Sequence, residues 1–238
     1  MLRWLYVMIT IAPATLYHGL TMLWAVYRRS PKASCVCEDS PRRWARFILR
    51  RSGTVVVMEN ERVIDPDQAQ ILVVNHTSWF DVLVLIAYLP GRSIFVAKKE
   101  LERIPLFGRA VRACGHIFID RRDRNKALDS LTLARKSLED ERPTIIMFPE
   151  GTRSATGELQ KFKKGAFVLA IQSGVDVVPA AISGSREVMR KGSFRIRPGT
   201  IRVRFGEPIS VEGLGIEQRN ELTARAREAL LGLQSIAR

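Results

Sequence analysis

The chain has 238 residues, with 38 Lys or Arg against 24 Asp or Glu, giving a formal charge of +14. That length supports one domain with a full core, and three cysteines are too few for the disulfide framework of a small secreted protein. The positive excess, half of it in residues 1–51, implies an anionic partner surface, either lipid or nucleic acid.

The N-terminus favours lipid. From Trp4 to Tyr27 there is no Asp, Glu, Lys or Arg. As a helix this run spans about 36 Å, enough for a bilayer core. Trp4, Tyr6, Trp24 and Tyr27 stand near its ends, where interfacial aromatics belong. It is too long for a signal peptide and no small-x-small cleavage site follows, so it reads as a retained membrane segment. Pro13, His18 and Gly19 interrupt it, leaving both a straight span and a kinked, half-embedded helix open.

Residues 40–51 follow with Arg42, Arg43, Arg46 and Arg50 on one helical side and Trp44, Phe47, Ile48 and Leu49 on the other. This pattern fits a helix in the lipid interface or a surface helix packed on the domain. Residues 1–51 hold nine Lys or Arg against two acids. The division expected is a membrane-associated helical segment over 1–51 and a second unit over 52–238. The positive-inside rule puts the latter in the cytoplasm, at the cell membrane. Cysteines there are expected to stay reduced. Cys35-Val36-Cys37 lacks further ligands for zinc, Cys114 reads as a small buried hydrophobe, and no metal site is predicted.

From residue 52, apolar runs at 54–58, 71–74, 93–97, 116–119, 144–147, 175–182 and 201–205 read as strands. Helical patterns cover 82–88, 106–113, 126–139, 165–173 and 217–237. Buried strands alternating with helices predict an α/β fold, a mostly parallel sheet covered by helices.

In such sheets ligands bind beyond the carboxyl ends of the strands. The run 71–74 leads into Asn75-His76-Thr77-Ser78-Trp79-Phe80-Asp81, and 144–147 into Phe148-Pro149-Glu150-Gly151-Thr152-Arg153-Ser154. Ser78 and Asp81 match a capping box. A loop histidine can also meet a carboxylate in the first helical turn, leaving its other nitrogen free as a base. Gly151 permits a tight turn, and Arg153 adds a donor fork suited to phosphate. Glu150 is expected to orient Arg153 or cap the loop. Asp120-Arg121-Arg122 and Lys98-Lys99 end two other strands, as anion ligands or as solvated charge.

These blocks resemble the glycerolipid acyltransferases. Asn75-His76-x₄-Asp81, Phe118-Ile119-Asp120-Arg121, Phe148 to Ser154 and Val178-Pro179 are similar to that family's four ordered blocks. Ala97-Lys98-Lys99-Glu100-Leu101 with Ile104-Pro105-Leu106-Phe107-Gly108 resembles the bacterial 1-acyl-sn-glycerol-3-phosphate branch. The resemblance implies an acyltransferase catalytic domain in which His76, oriented by Asp81, deprotonates the 2-hydroxyl of lysophosphatidic acid. That oxygen would attack an acyl-carrier-protein or coenzyme A thioester, a co-substrate rather than a cofactor, to give phosphatidic acid. Glu150, Gly151, Thr152 and Arg153, with Arg121 and Lys98, would bind the substrate and its phosphate. No G-x-S-x-G elbow exists, which suits direct attack. The rivals are a same-fold acyltransferase for another acceptor such as a lyso-ornithine lipid, and a membrane-tethered nucleic-acid-binding protein. Against the latter, the chain lacks the basic motifs with exposed aromatics of nucleic-acid modules, so no nucleic acid is expected.

Overall fold

The computed structural model describes residues 2–30, 32–120 and 123–235; the side chains of residues 2–5, 7, 8, 124 and 125 are not described. In chain order the elements are α1 (Leu2–Tyr27), α2 (Ala33–Ser52), β1 (Thr54–Glu59), β2 (Gln70–Val74), α3 (Trp79–Tyr88), β3 (Ser93–Lys98), α4 (Phe107–Ala113) and β4 (Ile117–Ile119). There follow α5 (Arg124–Glu141), β5 (Thr144–Met147), α6 (Gly165–Ser173), β6 (Val177–Ser183), α7 (Ser185–Val188), β7 (Gly199–Phe205) and α8 (Arg219–Ser235).

The described strands form one sheet in the order β1-β7-β6-β2-β5-β3-β4. β6, β2, β5, β3 and β4 run parallel. β7 is antiparallel to β6 and parallel to β1, so the two strands at this end of the sheet run the other way. β2 and β5 lie at the centre and are buried at every residue. Their side chains alternate between faces with the two-residue period of a strand. Leu72, Val74 and Ile146 join Ile48 and Leu49 of α2 and Phe80 and Val84 of α3. Ile71, Val73 and Ile145 meet Leu131 of α5, Phe167 of α6 and Leu222 and Leu230 of α8.

The apolar side of residues 40–51 faces protein, not lipid: Ala45, Ile48 and Leu49 are buried. Two of its cations are also engaged. Arg46 Nε donates to the Ala87 carbonyl at 3.0 Å, and Arg42 donates to the Gly91 carbonyl. The first caps an orphan carbonyl in the last turn of α3, and the second holds the loop that follows it.

α1 runs antiparallel to α2. Arg51 meets the Tyr6 hydroxyl, Trp44 Nε1 donates to Thr15 Oγ1 at 2.9 Å, and His18 Nδ1 lies 2.7 Å from Ser40 Oγ. Pro13 is accommodated within a single helix. Gly19 is where α4's flank closes on α1: an added Cβ would lie 3.0 Å from Leu106 Cγ. Tyr6, Ile9, Leu16, Tyr17, Leu20, Trp24 and Tyr27 remain exposed at helical spacing. Residues Ile9–Tyr27 are long and apolar enough to cross a membrane, and the free stripe associates α1 with one.

One expectation fails. Cys37 and Cys114, 77 residues apart, form a disulfide, while Cys35 is free and exposed. α4 packs across α1 beside α2, bringing the two Cα atoms within 5.2 Å, inside the reach of a disulfide. Nothing local to Cys114 in the sequence announces that contact.

Candidate active site

The parallel register sets the site. Val73 pairs with Met147 in β5 and with Pro179 in β6. The loops after β2 and β5 therefore emerge side by side. Asn75 fixes the first: its Nδ2 donates to the Ile182 carbonyl at 2.9 Å and its Oδ1 accepts from the Ile182 amide at 2.7 Å. The chain then turns at Ser78, whose Oγ accepts from the Phe80 amide and donates to the Met189 carbonyl at 2.7 Å.

Asp81 lies in the first turn of α3, with its side chain fully buried. Its Oδ2 accepts the Thr77 amide at 2.7 Å and the Ser78 amide at 2.8 Å, and stands 2.8 Å from His76 Nδ1. A carboxylate oxygen facing Nδ1 requires the proton there. In the neutral ring this leaves Nε2 unprotonated, able to accept a proton from a substrate. The ring is 15% exposed and stacks on Phe148 at 4.1 Å, which fixes its plane.

Glu150 ties the two loops together. Its buried carboxylate accepts the His76 amide at 2.7 Å through Oε1 and the Gln160 amide at 3.0 Å through Oε2. Burial raises its pKa, and the two amide donors oppose that rise. The Ser154 amide returns the link by donating to the His76 carbonyl at 2.7 Å. Of the two roles expected for Glu150, capping is the one its hydrogen bonds serve.

Gly151 has φ +73°, and a Cβ there would sit 2.9 Å from Lys163 Cε. The left-handed turn is what favours glycine here, since the end of the Lys163 side chain could move aside. Arg153 lies with its guanidinium 5.0 Å from the centre of the Trp79 ring. Partial burial lowers its pKa and Asp81 opposes that shift, so the cation lies within the field of the His-Asp pair. Thr152 is exposed; its carbonyl accepts from Gln160 Nε2 at 3.2 Å. Lys98 ends β3 on the same edge of the sheet, exposed and 3.0 Å from Glu100. Arg121 lies outside the described residues.

Two contributors escape a reading by motif: Lys163 lies beyond the second block, and Lys191 comes from the loop before β7. Phe148 falls inside the block but carries no polar signal of its part in the site. Lys191 Nζ donates to the Arg153 carbonyl at 2.7 Å and lies 3.5 Å from Thr152 Oγ1.

The acyltransferase family model matches residues 54–183, more than half of the chain. The chain belongs to the acyltransferase family. Among its relatives, the chain is 35% identical over 150 residues to the 1-acyl-sn-glycerol-3-phosphate acyltransferase of Cocos nucifera, covering 63% of this chain and 49% of that protein. It is 35% identical over 179 residues to the human 1-acyl-sn-glycerol-3-phosphate acyltransferase alpha, covering 75% and 63%. The chain thus spans about half to just under two thirds of the length of these relatives. The crystal structure of the 1-acyl-sn-glycerophosphate (LPA) acyltransferase PlsC from Thermotoga maritima superposes with a TM-score of 0.84 at 27% identity, over 99% of this chain and 95% of that one.

Beside the site is an apolar pocket of about 190 Å³ on the α5–α6 side of the sheet, lined in part by Val96, Ile119, Leu131, Met147, Phe148 and Ala166. Phe148 is its wall and also the platform for His76. A serine nucleophile is missing from the described site: Ser78 Oγ is bound to Met189, and Ser154 Oγ accepts from the Gly157 amide at 3.1 Å.

Proposed function

We propose that the protein transfers an acyl group from an acyl-carrier-protein or coenzyme A thioester to the 2-hydroxyl of 1-acyl-glycerol-3-phosphate, forming phosphatidic acid. The observation that carries this reading is the His76–Asp81 pair, with Nδ1 committed and Nε2 free, in the field of the Arg153 guanidinium. Nε2 takes the hydroxyl proton as the oxygen attacks the thioester carbonyl. The tetrahedral intermediate expels the thiolate, which recovers the proton from Nε2 and leaves as a thiol. Asp81 stabilises the imidazolium between these steps. Arg153 binds the phosphate of the acceptor as a two-point fork, with Lys98 as a further cation of that edge; the family resemblance adds Arg121. The pocket behind Phe148 suits an acyl chain. The scheme uses the thioester as co-substrate and draws on no cofactor or metal.

The names of the relatives and of the superposed structure support this acceptor. Arg28, Arg29 and Lys32, directly after α1, favour placement of the domain on the cytoplasmic side of the cell membrane. Purified full-length protein, given lysophosphatidic acid with labelled acyl-carrier-protein and acyl-coenzyme A in turn, is expected to yield labelled phosphatidic acid on lipid chromatography. Product formed only from a phosphate-free acceptor, such as a lyso-ornithine lipid, would overturn the proposal.

A further inference from the structure

Apart from the bond of Lys191 to the Arg153 loop, the segment between α7 and β7 takes no part in the reaction, yet it is built and charged in an unusual way. From Val188 to Gly206 the sequence has no Asp or Glu, and it carries Arg190, Lys191, Arg195 and Arg197 around Phe194. Phe194 is 71% exposed, the most of any large hydrophobic beyond α1 among the described residues. All four cations are exposed as well. This is not a loose tip. Ile196 is buried to 9% in the core beneath α2 and α3, the Arg197 amide donates to the Val188 carbonyl at 2.9 Å, and the Ser193 amide closes a turn on the Arg190 carbonyl at 3.1 Å. With both flanks held, Phe194 is presented outward.

Its position matters more than its composition. Because β7 runs against β6, the segment opens β7 at the edge of the sheet where His76 and Arg153 emerge. Met189 and Ile196 belong to the same core cluster on which Ile11 of α1 packs, so the segment and α1 flank one side of the sheet. Lys191 bonds back to the carbonyl of Arg153. We propose that residues 190–197 are a second membrane-contacting element, in which Phe194 enters the interface of an anionic bilayer and the four cations meet lipid headgroups. An apolar ring among cations fits that surface better than an acidic protein, which would leave Phe194 in water. The contact would seat the Arg153 loop at headgroup level, and it stands independently of which lipid is acylated.

The test reads contact directly. Full-length Cys35→Ser/Phe194→Cys protein, labelled at 194 with an environment-sensitive dye, is mixed with phosphatidylcholine vesicles with or without phosphatidylglycerol. A blue shift is expected on anionic vesicles and a weaker one on neutral vesicles. Dye emission that stays water-like while the protein cosediments with anionic vesicles would overturn the proposal. Arg195→Ser/Arg197→Ser should weaken binding to anionic vesicles roughly fivefold per cation removed, with unchanged thermal melting and unchanged turnover of a monomeric short-chain lysolipid. If these variants keep full vesicle affinity and instead raise KM for an acyl-carrier-protein donor in solution, the segment is a donor dock and the lipid assignment is wrong.

Discussion

Glu150 and His76 are 74 residues apart, yet a carboxylate oxygen of one accepts the amide proton of the other at 2.7 Å. The base is therefore positioned twice, through its ring by Asp81 and through its backbone by the second motif. Glu150→Gln replaces one acceptor oxygen with an NH₂ facing an amide N–H. Losing a hydrogen bond to a charged group costs about 1.5–3 kcal/mol. The expected result is a roughly ten- to 150-fold fall in kcat, with the KM for donor little changed. Wild-type kcat in steady-state assays would mean that this link does not position the base.

His76→Ala removes the proton acceptor, and turnover should fall by roughly 10²–10⁴-fold. Asp81→Asn keeps a side-chain oxygen for the cap but stops holding Nδ1–H against a carboxylate, so its loss should be smaller. Circular dichroism and melting of both variants separate a chemical defect from a folding one. A His76→Ala enzyme with near-normal turnover would remove His76 from the mechanism.

Arg153→Ala should raise the apparent KM for lysophosphatidic acid about ten- to 150-fold, the affinity equivalent of one charge-assisted hydrogen bond. Arg153→Lys should restore only part. A lysine supplies the charge but neither the fork nor the flat face that lies on Trp79. Varying both substrates in the kinetics decides which pocket is affected; a rise confined to donor KM would reverse the assignment.

His116 gives stability a pH dependence. Its Nδ1 accepts the Phe95 amide at 3.1 Å, and burial, with Arg92 nearby, lowers its pKa to about 4. Between that value and the unfolded value near 6.5, the unfolded chain takes up a proton that the folded chain refuses. This stability is complete above about pH 6.5 and is lost as the pH falls toward 4. Denaturant titrations at pH 7 and pH 5 should differ by about 1–2 kcal/mol from this group. His116→Asn, which retains an acceptor for Phe95, should remove that part of the difference.

Alkylation of air-purified protein without reductant should label Cys35 alone, and reduction should expose Cys37 and Cys114. Breaking the bond should cost about 2–4 kcal/mol on a thermal melt. Alkylation inside cells then reports the side of the membrane. Three labelled thiols are expected if the domain faces the cytoplasm, and one if it does not.

What the sequence makes legible follows where a local pattern has a single structural solution. The apolar run 144–147 is β5 to the residue, and 165–173 is α6, because a fully buried strand and a glycine-ended amphipathic turn leave little freedom. His76 meets Asp81 because the capping box already sets their geometry. The reversal of β7 carries no such mark: its direction depends on the path of residues 184–198, not on its own residues. The face of α2 was equally ambiguous, since an apolar stripe fits lipid and protein alike until α3 is in place. Lys191 and Glu150 act across long sequence distances, and their contacts exist only after the sheet has aligned the loops.

The antiparallel pairing of α1 with α2 has a topological outcome for lipid traffic. α1 is held along its flank by a helix bearing Arg42, Arg43, Arg46, Arg50 and Arg51. Driving α1 through the bilayer would drag those cations into hydrocarbon, at several kcal/mol even on permissive scales. In the proposed membrane-bound state the pair would therefore ride at one face of the bilayer. In the proposed reaction the acceptor is drawn from a single leaflet and the two-chain product returns to it. New lipid would accumulate asymmetrically, and growth of the opposite monolayer would depend on a separate transbilayer transfer.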